Sequence, residues 1–455
     1  MAALRTPASR PPGLPAAQCG YPELLRTRVR GLPAVRRLRA EPADGGRLLR
    51  NGHLLTLSSL LTASLGAVFW LFATSWYSVR DVGLAYAVVS AATLLAGFGQ
   101  LNLNDVLIRF LPAAAGRRPA RLVLRCYLAA GTASALAAVG FLLLIPRLAP
   151  GLDFLRSWPA ALGFVAGTAG YAIFVIQDGA LTGLRRPGWV LAENGVFAVV
   201  KTLLLLLCGL LVVRSGILLS WAGALAVSLT VTSGYLFGRA LPERRRQRHP
   251  DPLPTGLLRY AAADYLGSLF RLSAYNVVPL LVLNQLGPEH NAYFSLAWVI
   301  AYALFQVAWN MSASLIVEAA HEPARLAEHA RTVLRHNAAL IGAGVVLVIA
   351  LAPWVLRVFG PGYAAEGTTP LRLLALAALP NLVLDVAIAV ARARRRLGWA
   401  VGLQGALCVL VLGLVTVLMP VLGLTGVALA WLLAECVLAL PLLLTMRRWL
   451  PERRT

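Results

Sequence analysis

The sequence predicts an all-α polytopic membrane protein, with about 12 transmembrane helices in two pseudo-repeated six-helix lobes. Three observations predict it. The chain holds 12 apolar stretches long enough to cross a bilayer, its arginines crowd into alternate connections, and its two halves match at a shared offset of 210 positions.

Composition sets the frame. Of 455 residues, 58% are hydrophobic and 13% charged, where soluble domains carry about 25% charged residues. Mean hydropathy is +0.71. Formal net charge is nonetheless +23, from 42 Lys+Arg against 19 Asp+Glu. Such an apolar chain excludes disorder for its bulk. Five scattered cysteines (Cys19, Cys126, Cys208, Cys408, Cys436) have no framework spacing, which excludes a secreted disulfide scaffold. A basic nucleic-acid-binding domain would account for the charge but not the hydropathy, so no nucleic-acid partner is expected.

A bilayer-crossing helix needs about 20 mostly apolar residues. Stretches of this kind run over 54–76, 82–101, 122–146, 157–183, 189–213, 216–238, 257–284, 291–316, 333–356, 370–391, 399–420 and 423–446. None alternates with period two, as a barrel strand would. Helices are then the remaining way to satisfy backbone groups in hydrocarbon. The seventh and tenth stretches carry internal charges.

The connections test this count. The N-terminal tail, the 2–3, 4–5, 6–7, 8–9 and 10–11 connections and the C-terminal tail hold 34 of the 42 basic residues. The other side holds six: Arg80, Arg147, Arg156, Arg214, Arg357 and Arg372. Lys201 and Arg271 fall inside spans. One missed or spurious helix would scramble this alternation, and the positive-inside rule then places both termini in the cytoplasm of a cell (inner) membrane protein.

The domain map follows. Residues 1–52 form a basic Pro/Arg-rich cytoplasmic arm, 53–241 an N-lobe, 242–256 a cytoplasmic linker, 257–446 a C-lobe and 447–455 a cytoplasmic tail. Residues 1–50 have no apolar h-region and are not a signal peptide. They read either as a mostly disordered arm held near anionic headgroups or as an over-extended start.

The halves repeat. Gly188-Trp189 recurs as Gly398-Trp399, each after an Arg-rich turn, Gly195 matches Gly405, and Trp221 matches Trp431, all 210 apart. Each half has six spans, so the second enters from the same side as the first. Parallel repeats of this kind usually enclose a central site whose access alternates.

Ionisable residues inside spans are the candidates for that site, since each costs at least ~2.5–3.5 kcal/mol at a helix centre. In span 7, Tyr260, Asp264, Ser268, Arg271 and Tyr275 share one helical face, and Asn276 and Pro279 follow. Two readings stand. Either this face lines a hydrophilic cleft with Arg271 as an anion site, or Asp264 and Arg271 merely pair. Ser59, Thr62 and Gly66 form a comparable uncharged face in span 1. In span 5, Glu193 lies near the arginine-rich end, where snorkelling is cheap. Lys201 lies deeper, two turns from Asn194, and either lines the cleft or pairs with Asp178 of span 4. Asp178, Asp385 and Glu435 are candidate ion-coupling acids or structural partners of arginines. Gln100, Asn102, Asn104, Asp105 and Arg109 at the end of span 2, and Asn310, Ser314 and Glu318 of span 8, are candidate cytoplasmic-mouth residues.

Several motifs are empty. Gly163 to Gly167 reads as close helix packing. Asn310-Met311-Ser312 fits a glycosylation acceptor but lies in or beside a span. Six histidines (His53, His249, His290, His321, His329, His336) lack metal-ligand spacing, and His329 and His336 read as solvated. No nucleotide-binding, zincin or nucleophile-elbow motif is present. No catalytic residue, metal or cofactor is expected. The exterior loops are too short for the acceptor domain of a membrane glycosyltransferase or polysaccharide polymerase. The cytoplasmic loops are too short for an ATPase, so active transport would draw on an ion gradient, a potential or the substrate's own gradient.

Certain stretches carry a resemblance. They are Gly66-Ala67-Val68-Phe69-Trp70-Leu71-Phe72-Ala73, Val82-Gly83-Leu84-Ala85 and Leu107-Ile108-Arg109-Phe110-Leu111-Pro112. In the second half they are Pro279-Leu280-Leu281-Val282, Ala292-Tyr293-Phe294-Ser295-Leu296-Ala297-Trp298 and Ser314-Leu315-Ile316-Val317-Glu318-Ala319-Ala320-His321. Over residues 52–446 the chain resembles bacterial polysaccharide and O-antigen flippases, exporters of lipid-linked oligosaccharide in the multidrug/oligosaccharidyl-lipid/polysaccharide exporter superfamily. That resemblance implies two six-helix lobes in a V opening alternately to either side, with spans 1, 2, 7 and 8 flanking the cleft. It implies a polyprenyl-diphosphate-linked glycan as substrate, with Arg271 and Lys201 holding the diphosphate. Asp264, Asp178 and Asp385 depart from an all-cationic cleft.

Three functions follow as expectations. The first is flipping of lipid-linked oligosaccharide or polysaccharide precursors, with the lipid-linked glycan, membrane lipids and assembly glycosyltransferases or a polymerase as partners. The second is a drug or organic-cation antiporter of the same superfamily, with Asp178, Asp264 or Asp385 as coupling acid. The third is a non-transporting scaffold in envelope polysaccharide assembly.

Overall fold

A computed structural model of the protein describes residues 64–112, 118–246, 257–321 and 325–450. All of them belong to one compact unit, Asp44–Thr455. Ser59 and Thr62 lie outside the described residues, as do the side chains of Tyr260 and Glu318.

Among the described residues the secondary structure is helical throughout. In chain order the helices are α1 (Ser64–Trp76), α2 (Val79–Gly99), α3 (Leu103–Phe110), α4 (Arg118–Leu148), α5 (Trp158–Gly183), α6 (Pro187–Leu210) and α7 (Gly216–Tyr235). Then follow α8 (Leu241–Arg246), α9 (Leu257–Leu286), α10 (Pro288–His321), α11 (Leu326–Phe359), α12 (Pro361–Ala393), α13 (Leu397–Leu444) and α14 (Met446–Trp449). Ten are long and apolar enough to cross a membrane. The 48-residue α13 breaks at Gly423, whose φ of 57° and ψ of −138° reverse the chain, so one continuous element makes the eleventh and twelfth crossings. With α1 as the described part of the first span, the twelve predicted crossings are accounted for.

The apolar surface follows the bilayer rather than water. Leu128, Leu136 and Leu143 are all exposed on α4 at steps of eight and seven, one stripe of the helix. In hydrocarbon such a face needs no polar cover. α12 is the opposite case: every residue from Asn381 to Arg392 is buried, because α10, α11 and α13 pack around it. Its polar residues therefore face protein.

Two elements depart from the expected reading. After α2, Leu101 and Asn102 take left-handed backbone (φ 51° and 57°), and the chain turns into the short α3 instead of leaving the span. α3 lies against α5 because Gly179 and Gly183 have no side chain there: a Cβ on Gly183 would sit 2.7 Å from the Leu107 carbonyl oxygen. In the Gly163 to Gly167 run, Gly167 faces Trp221 while Gly163 faces open space, so the pair is not a shared packing notch.

The repeat is visible in the backbone. Arg185 and Arg395 both have φ 57°. The bonds around Arg185 are Leu184 N–H to Ala180 O, Arg185 N–H to Thr182 O and Arg186 N–H to Leu181 O. Around Arg395 they recur as Arg394 to Val390, Arg395 to Arg392 and Arg396 to Ala391. Trp189 and Trp399 follow these turns in the same register.

α2 is the seam between the halves. At its arginine-poor end, Asn291 Nδ2 donates to the Gly83 carbonyl at 2.8 Å, and the Pro288 carbonyl fills the place of a Gly83 Cβ. At its other end, the Tyr265 hydroxyl donates to the Phe98 and Gly97 carbonyls at 2.7 and 3.1 Å. Asn284 Nδ2 adds a bond to the Leu148 carbonyl at 2.5 Å on the arginine-poor side.

Candidate functional site

The charged face of α9 does not pair with itself. Asp264 Oδ1 lies 2.7 Å from Arg392 Nε, near the C-terminal end of α12. The contact is close, but the N–H does not point along it, so it is an ion pair rather than an aligned hydrogen bond. Arg271, two turns further along α9 and so about 10 Å deeper, stacks instead on Trp309 of α10. Its guanidinium carbon lies 3.5 Å from the ring centroid, and that of Arg392 lies 5.6 Å from the same ring. An indole face attracts cations through its quadrupole, so one tryptophan holds two like charges in the same region.

A polar ladder results, running inward from the arginine-rich end. Asp105 of α3 is within electrostatic reach of Arg109, Asp264 and Arg392. Next come Asp264 and Arg392, then Arg271 and Trp309. Asp385, 7% exposed and two turns from Arg392 on α12, is in electrostatic reach of both arginines. Beyond it Tyr275 packs on Trp298, Tyr302 and Trp431 at centroid distances of 5.4, 5.6 and 5.3 Å. Asn381 Nδ2 donates to Glu435 Oε1 at 3.2 Å; its Oε2 has no partner among the described residues. Ser268 does not join the ladder, since its hydroxyl donates to the Tyr265 carbonyl.

Lys201 occupies a second site. It lines a cavity of about 230 Å³ with Phe69, Trp70, Tyr86, Trp221 and Asn276, so α9 of the second half closes a cavity built from the first. Its Nζ lies 4.3 Å from the Phe69 ring centroid and 5.3 Å from that of Phe197. The expected alternative of a Lys201–Asp178 pair is not formed: Asp178 accepts from Asn194 Nδ2 at 3.4 Å, and no carboxylate lines the lysine cavity. Asn276 also donates to the Leu272 carbonyl of its own helix.

Two sequence readings need correction. Glu193 does not snorkel. It is 2% exposed, and neither carboxylate oxygen has a partner among the described residues. The α6–α7 packing covers it, and Ser228 bonds its backbone carbonyl rather than its carboxylate. His329 is not solvated. It is buried on α11 at 2% exposure beside Leu326, Ala330 and Val333.

Arg392 and Trp309 are the site residues the sequence reading missed. In sequence Arg392 reads as part of the adjoining turn Arg394, Arg395 and Arg396, although its two-turn spacing from Asp385 places both on one buried face. Among the predicted mouth residues, Arg109 lies on α3 beside Asp105, and Asn310 follows Trp309 on α10. Among the described residues no group of three or more His, Cys, Asp or Glu side chains is placed to hold a metal ion.

No protein-family model matches the chain, and no curated protein matches it. Solved structures do. An inward-facing multidrug resistance MATE family transporter of the MOP superfamily is 16% identical over 91% of this chain and 100% of its own, with a TM-score of 0.63. An outward-facing structure of such a transporter is 15% identical over 90% and 96%, at 0.59. A MOP superfamily transporter from Pyrococcus furiosus, described as having a binding pocket of reverse polarity that suggests a different function, is 15% identical over 90% and 96%, at 0.60. At these identities the likeness concerns architecture: this multi-pass membrane protein has the fold of MATE family transporters of the MOP superfamily.

Proposed function

We propose that the chain is a transporter that flips polyprenyl-diphosphate-linked oligosaccharide or polysaccharide precursors across the cytoplasmic membrane, by alternating access of a cleft between its lobes. The observation that carries this reading is the company its deep cations keep. Lys201 lies over Phe69 and Phe197, and Arg271 on Trp309. Neither has a carboxylate within ion-pair distance among the described residues. A cation held by aromatic faces keeps its charge available for a phosphate, and the rings suit sugar or lipid passing over them. The fold supports the transport part of the reading, since neighbours of the same architecture exist in inward- and outward-facing states.

A second reading has its own observation. Asp385, Glu435 and Glu193 are buried acids, with Asp178 close to the last, and fold neighbours are multidrug transporters. An organic-cation antiporter would use such acids for coupling. Reconstituted vesicles separate the two: a labelled lipid-linked oligosaccharide reaching the opposite leaflet supports flipping, and export of an organic cation against a proton or sodium gradient supports the antiporter. A scaffold would move neither.

A further inference from the structure

A second pocket, of about 430 Å³, lies at the arginine-poor ends of the first-half helices. It is bounded by the start of α2 (Arg80, Asp81), the turn Pro150–Arg156 (Asp153, Phe154) and the start of α7 (Arg214, Ile217). Only six basic residues fall on this side of the chain. Two of them, Arg80 and Arg214, line this pocket, and a third, Arg156, reaches its Asp153 at 3.0 Å. Among the described residues neither the Arg80 nor the Arg214 guanidinium has a hydrogen-bond or ion-pair partner. The N-termini of two helices, α2 and α7, bound the same space and add the positive ends of their dipoles.

The acids there are not sealed off. Asp81 accepts from the Ser78 hydroxyl through one oxygen only, at 2.6 Å. The Asp153–Arg156 pair is more than half exposed on both sides, and such pairs are weak and exchangeable. Around the charges the rim is apolar. Leu84, Ala85, Phe154, Ile217 and Leu218 line it, and Phe154 is 43% exposed. Aromatic side chains at the ends of membrane helices sit at headgroup level, with acyl chains below.

We propose that this pocket seats the headgroup of a zwitterionic phospholipid from the leaflet on the arginine-poor side. Its phosphate lies between Arg80 and Arg214, its ammonium toward Asp81 and Asp153, and its acyl chains run over Phe154. Two cations without ion-pair partners match the phosphate, the two carboxylates beside them draw the amine, and the apolar lining of Leu84 and Phe154 meets the chain, which a free anion would leave unused. Ile217 lines both this pocket and the Lys201 cavity, so the bound headgroup backs onto one wall of that cavity. The inference does not depend on what the central cleft carries.

Native mass spectrometry of the full-length protein in detergent, titrated with dioleoyl phosphatidylethanolamine, dioleoyl phosphatidylglycerol and soluble glycerophosphoethanolamine, tests it. Wild type retains the ethanolamine lipid in preference to the glycerol lipid, and both far above the soluble headgroup. The Arg80→Gln/Arg214→Gln double variant loses about tenfold in ethanolamine-lipid affinity, the scale of a lost charge-assisted contact. Asp153→Asn, which leaves both arginines in place, shifts preference toward the anionic glycerol lipid. The proposal is overturned if the double variant, with wild-type melting behaviour, binds the ethanolamine lipid as wild type does, or if Asp153→Asn leaves the preference unmoved. Equal retention of the soluble headgroup would also overturn it, marking a free-phosphate site.

Discussion

Asp264 lies 2.7 Å from Arg392 and leaves Arg271, on its own helix, to stack on Trp309. This exchange of partners decides between the two readings of the α9 face. Had Asp264 and Arg271 neutralised each other, the face would have been structural. With Arg392 supplying the countercharge from α12, Arg271 is left without an ion-pair partner among the described residues.

The Asp264–Arg392 pair should be worth measurable stability. Arg392→Gln strands a carboxylate that is only 26% exposed. Breaking fully buried pairs costs about 3–5 kcal/mol; for this partly exposed one the loss should be roughly 2–3 kcal/mol. Thermal melting in detergent checks it, and Asp264→Asn on the same background should recover most of the loss. An unchanged melting point for Arg392→Gln would show that the pair holds nothing together.

Lys201 should behave in the opposite way. Lys201→Met keeps the stem and removes a charge that has aromatic neighbours but no carboxylate. Stability should stay level or rise by up to about 1 kcal/mol, because no ionic partner is stranded. On the proposed reading, transfer of lipid-linked glycan should fall. A variant that melts several degrees lower would mean that Lys201 has a structural partner.

Gly83 closes the arginine-poor end of the seam. Gly83→Ala puts a methyl group where the Pro288 carbonyl lies, so α2 and α10 must separate there. Spin labels introduced at Arg80 and Glu289 should move apart in pulsed electron resonance, with the Asn291–Gly83 bond lost. An unchanged distance distribution would show that the seam has slack.

Gly423 holds the turn between the last two crossings. Its φ of 57° with ψ of −138° is a conformation that side chains oppose, at a cost on the order of 1–3 kcal/mol. Nothing crowds the position, so Gly423→Ala should destabilise by that backbone cost alone, read as a lowered melting point. Unaltered melting would show that the turn tolerates a side chain.

The architecture was legible because a bilayer imposes length and charge rules on sequence. Spans showed as apolar runs, and the Gly188-Trp189 and Gly398-Trp399 turns showed as a repeat whose backbone bonds recur in register. The site was legible as a list but not as pairings. Asp264 and Arg271 stand at a helical spacing that permits a pair, and only packing shows that α12 brings Arg392 closer. Arg392 read as a loop charge because the arginine run hides where α12 ends. Trp309 carries no charge signal at all. Glu193 sits near a helix end in sequence, yet α7 covers it, and α3 is hidden in sequence because polar residues after a span look like a loop.

The central claim is that Arg271, stacked on Trp309 rather than ion-paired, serves a phosphate-bearing glycolipid. Its most direct test is the transfer of a labelled polyprenyl-diphosphate oligosaccharide between leaflets of vesicles holding wild-type protein or Arg271→Ala, with organic-cation export measured in parallel. The account predicts transfer by wild type well above empty vesicles, its loss in Arg271→Ala, and melting of the variant near wild type. Transfer by Arg271→Ala at the wild-type rate would contradict it, as would wild-type vesicles that export the cation but leave the glycolipid in place.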